Sequence, residues 1–152
     1  MTVKEVVKLL REYNRLGEKI FSFNQQIRRY LKEKYEAQTL YPQVTAESVR
    51  VAPTNKITDP TYQAVDRVIS IYDKNVEKLS EDVRLCADKK DIVDEMLKQL
   101  TAEERDAVDF FYFRGLRTIH IASRLCMSES TFYRTKKRAL KKMSDFGTEL
   151  ES

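Results

Sequence analysis

Residues 101–143 read TAEERDAVDFFYFRGLRTIHIASRLCMSESTFYRTKKRALKKM, and the helix caps spaced through them decide the fold. Thr101 followed by Glu104 is a capping box, in which each side chain accepts one of the unpaired backbone amides at a helix start. A first helix is predicted from there to about Arg114, giving Val108, Phe111 and Tyr112 to a core. It should end at Gly115, which takes the left-handed conformation of a helix terminus without a Cβ penalty. A second helix is predicted over 118–126, with Thr118 as its N-cap and Ile121, Ala122 and Leu125 turned inward. Ala122 is small where two helices must approach closely. After a tight turn at Cys126 and Met127, Ser128 is placed to cap a third helix. Its inward residues should be Phe132, the Thr135 or Lys136 stems, Ala139, Leu140 and Met143.

Working outward, the capping box sets a break between Leu100 and Thr101. Residues 101–146 then read as a small three-helix domain, and residues 1–100 as a long-helix and oligomerisation region. Residues 3–35 form one amphipathic helix: Val3, Val6, Leu10, Tyr13, Ile20, Ile27 and Leu31 follow a three-and-four spacing interrupted at Gly17 and Asn24. Leu9, Leu16, Phe23 and Tyr30 make a second stripe beside it. The combined face is wider than a two-stranded seam and suits a helix with more than one neighbour. Residues 39–58 lose the period, with Pro42 and Pro53 bracketing Val44, Val49 and Val51, and predict a linker. A second long helix should open at Thr58-Asp59-Pro60, with Thr58 or Asp59 as N-cap and Pro60 where a missing N–H costs nothing. A seven-residue repeat follows through Tyr62, Val65, Ile69, Tyr72, Val76, Leu79, Val83, Cys86, Val93, Leu97 and Leu100, broken only at Lys90. Such a helix extends about 60 Å at 1.5 Å per residue. The first is comparable, so the two pair either within the chain, as a hairpin, or with a second copy, as a coiled coil. Both remain open, and either way the fold class is all-α.

The composition agrees with that class, since only 3 glycines and 34% charged residues leave little material for a turn-rich sheet. No stretch approaches the roughly 20 apolar residues of a membrane span, and charges interrupt every apolar run of MTVKEVVKLLREY, unlike a signal peptide. Cys86 and Cys126 sit singly on helical patterns and are expected as buried thiols, with neither a disulfide nor a metal site. No glycine-rich phosphate loop, nucleophile with a base, or apolar pair of carboxylates is present, so neither an enzyme nor a cofactor is expected. His120, between Ile119 and Ile121, reads as a surface or half-buried helix residue. Glu103, Glu104, Asp106 and Asp109 form an acidic patch that favours a helix N-terminus.

Charge is distributed unevenly. From Arg114 to Lys142 there are nine Arg or Lys and one acid, Glu129, a local balance of +8 within a chain of net +4. That asymmetry predicts a basic face turned toward a polyanion. Two short helices joined by a tight turn, the second of them basic, make a helix-turn-helix.

The pattern G-L-x-x-x-x-I-A-x-x-L-x-M-S-x-S-T-x-x-x-x-x-x-R-A-L-K-K-M, from Gly115 to Met143, resembles region 4 of the bacterial sigma-70 factors, the part that reads the −35 promoter element. The resemblance covers about 40 of the 152 residues, and nothing before it resembles sigma region 2. With the long helical N-terminal part and a linker ending in Asp59-Pro60-Thr61, the chain resembles the ArpU/RinA-type regulators of bacteriophages. It differs in the linker, where it has Val51-Ala52-Pro53-Thr54-Asn55 in place of the Met-Pro-Arg-Gly-like segment of many such regulators. This resemblance implies a sequence-specific activator of phage or prophage late genes, acting in the cytoplasm of a bacterial host. It implies double-stranded DNA and host RNA polymerase as partners, while the heptad register from Tyr62 to Leu100, with Tyr13, Ile20 and Ile27 on the first helix, predicts a homodimer through the long helices. Carried over residue by residue, Glu129, Ser130, Thr131 and Arg134, with Tyr133 beside them, meet base edges. Arginine bridges the two acceptors of guanine, glutamate accepts from cytosine, and the threonine methyl touches thymine. Arg117, Ser128, Lys137, Arg138, Lys141 and Lys142 look like phosphate contacts, which fix position without reading sequence. Two other readings stay open: a small terminase-like subunit that recognises DNA for packaging, as a ring, and a helical adaptor that binds RNA polymerase.

Overall fold

The computed structural model describes residues 1–40 and 60–152, and every regular element among them is helical. In chain order these are α1 (Val3–Leu40), α2 (Pro60–Lys98), α3 (Ala102–Val108), α4 (Thr118–Arg124) and α5 (Glu129–Glu151), with α3 continuing into a π-helical turn over Asp109–Phe113. The all-α expectation holds. Pro60 opens α2 as expected. Thr58 and Asp59, the linker residues Pro42, Val44, Val49, Val51 and Pro53, and the side chain of Tyr62 lie outside the described residues. At its C-terminal end α1 runs past the expected residue 35, so Thr39 belongs to the helix, its hydroxyl donating to the Tyr35 carbonyl at 2.8 Å.

The chain divides into two compact units, and not between Leu100 and Thr101. Met1–Glu18 and Cys86–Ser152 form the first, and Lys19–Leu85 the second. The reason lies in a shared core. Val6 and Leu10 from α1, and Val93, Met96 and Leu100 from the end of α2, are buried in one cluster with Val108, Ala139, Leu140 and Met143. Burying each of the Val, Leu and Met side chains among them stabilises the fold by about 1.5–3 kcal/mol. At Gly147 a Cβ would stand 2.9 Å from Met96 Cε and 3.0 Å from Met1 Cβ, so a larger residue there requires the Met96 terminus and Met1 to shift.

Polar groups tie the same layers together. The Tyr13 hydroxyl donates to Asp94 Oδ1 at 2.6 Å, and burial together with that carboxylate pushes the phenol up to about 12. Lys90, which breaks the heptad, places its ammonium 5.6 Å from the centre of the Tyr13 ring, where the ring's negative face attracts it. Arg105 donates to the carbonyls of Leu97 and Leu100 at 3.3 and 3.4 Å, tying the end of α2 to α3, and the Leu97 carbonyl also accepts the Leu100 amide at 3.2 Å.

A second, smaller core lies under the helix-turn-helix. Ala107, Ile121 and Phe132 are fully buried there, with Phe110, Phe111, Leu116, Leu125 and Met127 packed against them. The π turn makes the two cores compatible. Its closing bond runs from the Arg114 amide to the Asp109 carbonyl at 3.0 Å, five residues back. The wider turn lets four consecutive aromatics be shared: Phe110 and Phe111 meet the second core, Tyr112 and Phe113 the first.

In the second unit α1 and α2 pair with each other. Lys34 bonds Asp73 at 2.6 Å and the Tyr30 and Tyr72 rings lie 6.1 Å apart. Gln26 shares a groove with Asp82, so the helices run antiparallel within the chain. Ile69, Tyr72, Val76, Leu79 and Val83 are only half-buried on this seam.

The cysteines depart from expectation. Cys86 is half-buried and Cys126 exposed. Cys126 takes a left-handed backbone (φ 53°) at the reversal between α4 and α5, which turns its side chain away from the core. No helix among the described residues is long and apolar enough to cross a membrane.

Candidate nucleic-acid interface

Helix α4 is shorter than its expected span, and its cap differs. Arg117, with extended backbone, is the N-cap and makes no side-chain cap bond, while Thr118 is already the first helical residue. The Thr118 hydroxyl lies instead 3.4 Å from that of Tyr133, linking the start of α4 to α5. Ile121 and Ala122 are buried as expected, but Leu125 caps the C-terminus and is half-buried. The left-handed Cys126 ends the helix there, and the Met127 amide closes the turn on the Ala122 carbonyl at 3.0 Å.

Ser128 caps α5 as the sequence predicts, its hydroxyl accepting from the Thr131 amide at 3.2 Å and lying 2.8 Å from the Thr131 hydroxyl. Phe132, Thr135, Ala139, Leu140 and Met143 then face inward. Thr135, not Lys136, takes the disputed inward place, and its hydroxyl donates to the Thr131 carbonyl at 2.9 Å. Lys136 is half-buried beside it, its ammonium 4.0 Å from the centre of the Phe111 ring. Arg114 and Arg124 likewise lie 5.0 and 5.7 Å from the Phe110 ring. These three of the nine positive charges are held on aromatic faces.

The outward face of α5 carries Ser130, Arg134, Lys137 and Lys141, at intervals of four, three and four residues that align them in one stripe. All four are exposed, as are Ser128, Glu129 and Thr131 at the N-terminal turn, Tyr133 on the flank and Arg117 before α4. Arg117, Arg134, Lys137 and Lys141 form no ion pair with any described residue. His120 is exposed on α4.

Arg138 and Lys142 are placed differently. Glu104 was expected in a surface acidic patch, but its side chain is only 1% exposed. Its carboxylate accepts from Arg138 Nε at 2.8 Å, Lys142 Nζ at 2.9 Å and the Thr101 amide at 3.1 Å. The capping box folds the side chain back over the start of α3, against the flank of α5, and the two cations close over it. Burial pushes the Glu104 carboxyl up, yet the bonds from Lys142, the Thr101 amide and Arg138 outweigh it and hold the group below its ordinary value. Of the other three acids, Glu103 and Asp106 are exposed, while Asp109 pairs with Arg114 at 3.1 Å. The clamp on Glu104 was missed because Arg138 and Lys142 sit one helical turn apart, a spacing equally suited to phosphate.

In comparison with known families, residues 90–143 match the model described as Sigma-70, region 4. Searches of curated proteins and of solved structures return no match. The matched stretch begins in the last turns of α2, on residues that share the first core, and ends at Met143 of α5. A Sigma-70 region 4 domain of the DNA-binding helix-turn-helix type is therefore detected in this part of the chain, covering α3, α4 and the cationic half of α5.

Proposed function

We propose that the chain is a sequence-specific transcriptional regulator acting by binding rather than by catalysis, and an activator of phage or prophage late genes in a bacterial cytoplasm. The observation that carries DNA recognition is the unpaired stripe on α5, Ser130, Arg134, Lys137 and Lys141, inside the stretch that matches Sigma-70 region 4. In this reading the N-terminal turns of α5 enter the major groove. Glu129, Ser130, Thr131, Tyr133 and Arg134 meet base edges, and Arg117, Ser128, Lys137 and Lys141 take phosphates. Arg138 and Lys142 each use one donor on Glu104 and keep others for phosphate. Sigma-70 region 4 domains also bind RNA polymerase, which supports the polymerase as second partner, and the half-buried seam of the second unit suits a homodimer.

Selection of bound duplexes from a random pool tests this. An enriched motif with two spaced half-sites is expected, and a pool that stays random overturns it. On the selected site Arg134→Ala should cost about 1–3 kcal/mol and relax preference at one base pair. Lys141→Ala should weaken selected and scrambled duplexes alike.

A further inference from the structure

The first unit carries a second row of cations that the charge count of the sequence passed over. Lys4, Lys8, Arg11 and Arg15 follow one another on α1 at intervals of four, three and four residues, on the side opposite Val6 and Leu10. All four are exposed, and none forms an ion pair with a described residue. With Val7 and Glu12 they line an open groove. Glu5, the nearest other acid in sequence, is engaged by the amide and hydroxyl of Thr2 at 2.6 and 3.0 Å.

The row is anchored next to the helix-turn-helix. Asn14 Nδ2 donates to the Phe113 carbonyl at 2.8 Å, and Tyr13 stacks on the Phe113 ring with centroids 4.6 Å apart. Arg11 is close enough to Tyr112 for its charge to oppose the rise that burial imposes on that phenol. Phe113 directly precedes the short connection from Arg114 to Arg117, the unpaired cation at the start of α4. These contacts fix α1 beside the segment that leads into α4.

Resting on the DNA-binding reading above, we propose that the α1 row is a second contact to the DNA backbone, taking phosphates that flank the stretch read by α5. From Lys4 to Arg15 the row extends about 16 Å along the helix axis. A duplex offers one phosphate per strand about every 3.4 Å, so three or four cations in that length each find a partner without base contact. Unpaired guanidinium and ammonium groups on a rigid helix suit such sequence-independent binding.

The test uses the full chain with Lys8→Ala/Arg11→Ala/Arg15→Ala. It compares the selected site in a long duplex with the same site trimmed to the motif. On the long duplex the triple variant should lose about 2 to 3 from the slope of log affinity against log salt, since each phosphate contributes about 0.9. On the trimmed duplex it should match wild type, and Arg11→Lys/Arg15→Lys should keep the wild-type slope on both. A wild-type slope in the triple variant, or an equal loss on both duplexes, overturns the α1 contact while leaving the α5 reading intact. A wild-type chain without salt-dependent DNA binding overturns both. Melting curves of the variants, whose altered side chains are all exposed, check that the fold is kept.

Discussion

The two compact units are built from the same pair of helices, yet they bury them to different depths. In the first unit Val6, Leu10, Leu16, Val93 and Met96 are each 2% exposed or less, whereas among the described residues of the second unit Val65, at 8%, is the most deeply buried hydrophobic side chain. The sequence pattern runs the other way, because the heptad is unbroken from Val65 to Cys86 and is interrupted at Lys90 in the better-buried part. What differs is the number of layers. Two paired helices shield one line of each other and leave its flanks wet, so the seam stays half-buried. In the first unit α5 and the π turn after α3 close over the same helices as a further layer, and the seam becomes dry. An amphipathic stripe thus records which side of a helix is covered, not how completely.

The largest expected effect tests that layering directly. Removing residues 1–18 takes Val6 and Leu10 out of the first core and uncovers Met96, Leu140 and Met143. The helix-turn-helix is then expected to lose cooperative unfolding, seen by circular dichroism. A milder form is Leu10→Ala, which leaves a cavity in a fully buried site and should cost about 2–5 kcal/mol. Leu79→Ala, on the half-buried seam of the second unit, should cost about 1 kcal/mol, because its surroundings can rehydrate. Urea melts of both variants at several protein concentrations decide. If Leu79→Ala costs as much as Leu10→Ala, and more so at high concentration, a second copy covers that seam and the proposed homodimer gains its interface.

The next effect concerns the clamp that joins α3 to α5. Glu104→Gln keeps the shape of the side chain but loses charge-assisted bonds to Arg138 and Lys142. The cost should be about 1–3 kcal/mol, toward the lower end because both cations are more than 40% exposed. The pH dependence has a definite sign. A carboxyl held below its ordinary 4.5 in the folded chain contributes stability that is fully present above that value and is lost as pH falls through the lowered one. Wild type should therefore lose its advantage over Glu104→Gln on acidification below about pH 4.5. Parallel acid melts for the two proteins would show that the carboxylate gains nothing from its partners. The variant also frees two cations beside the α5 stripe, so its affinity for scrambled DNA should rise, the opposite of the effect of Lys141→Ala.

What was legible in the sequence was whatever is local. The capping box at Thr101 and Glu104, the left-handed Gly115, the Ser128 cap and the Phe132–Ala139–Leu140–Met143 stripe each depend on residues within a few turns, and the structure places them as expected. The Thr118 cap failed for an equally local reason: Arg117 already has the extended backbone of a cap, so the helix starts one residue later than its threonine suggests. The non-local facts were invisible. Glu104 meets Arg138 across 34 positions, and no spacing rule links them. The break between Leu100 and Thr101 is a true helix end, but contacts from Val6 and Leu10 to the region of Met143 carry the first unit across it. The π turn was hidden in Phe110, Phe111, Tyr112 and Phe113, whose four bulky rings in succession fit no single helical face and so needed a wider turn to serve two cores.

The smallest effect probes the polar pin between α1 and α2 in the first unit. Tyr13→Phe removes the 2.6 Å bond to Asp94 while keeping the ring that stacks on Phe113 and lies under Lys90. Asp94 is half-buried and can regain water, so the loss should be about 0.5–1.5 kcal/mol near neutral pH. Alkali gives the sharper reading. The Tyr13 phenol is raised from 10.0 to about 12 in the folded chain, so the proton it keeps stabilises the fold below pH 10. That contribution is lost as pH rises through about 12. The difference in stability between wild type and Tyr13→Phe should hold up to about pH 10 and shrink toward pH 12. Taking the difference removes Tyr112, whose phenol is also raised by burial and is present in both proteins. A difference that stays constant across this range would mean that the hydroxyl bonds water as readily as Asp94. The first unit would then owe its tightness to its apolar layers alone.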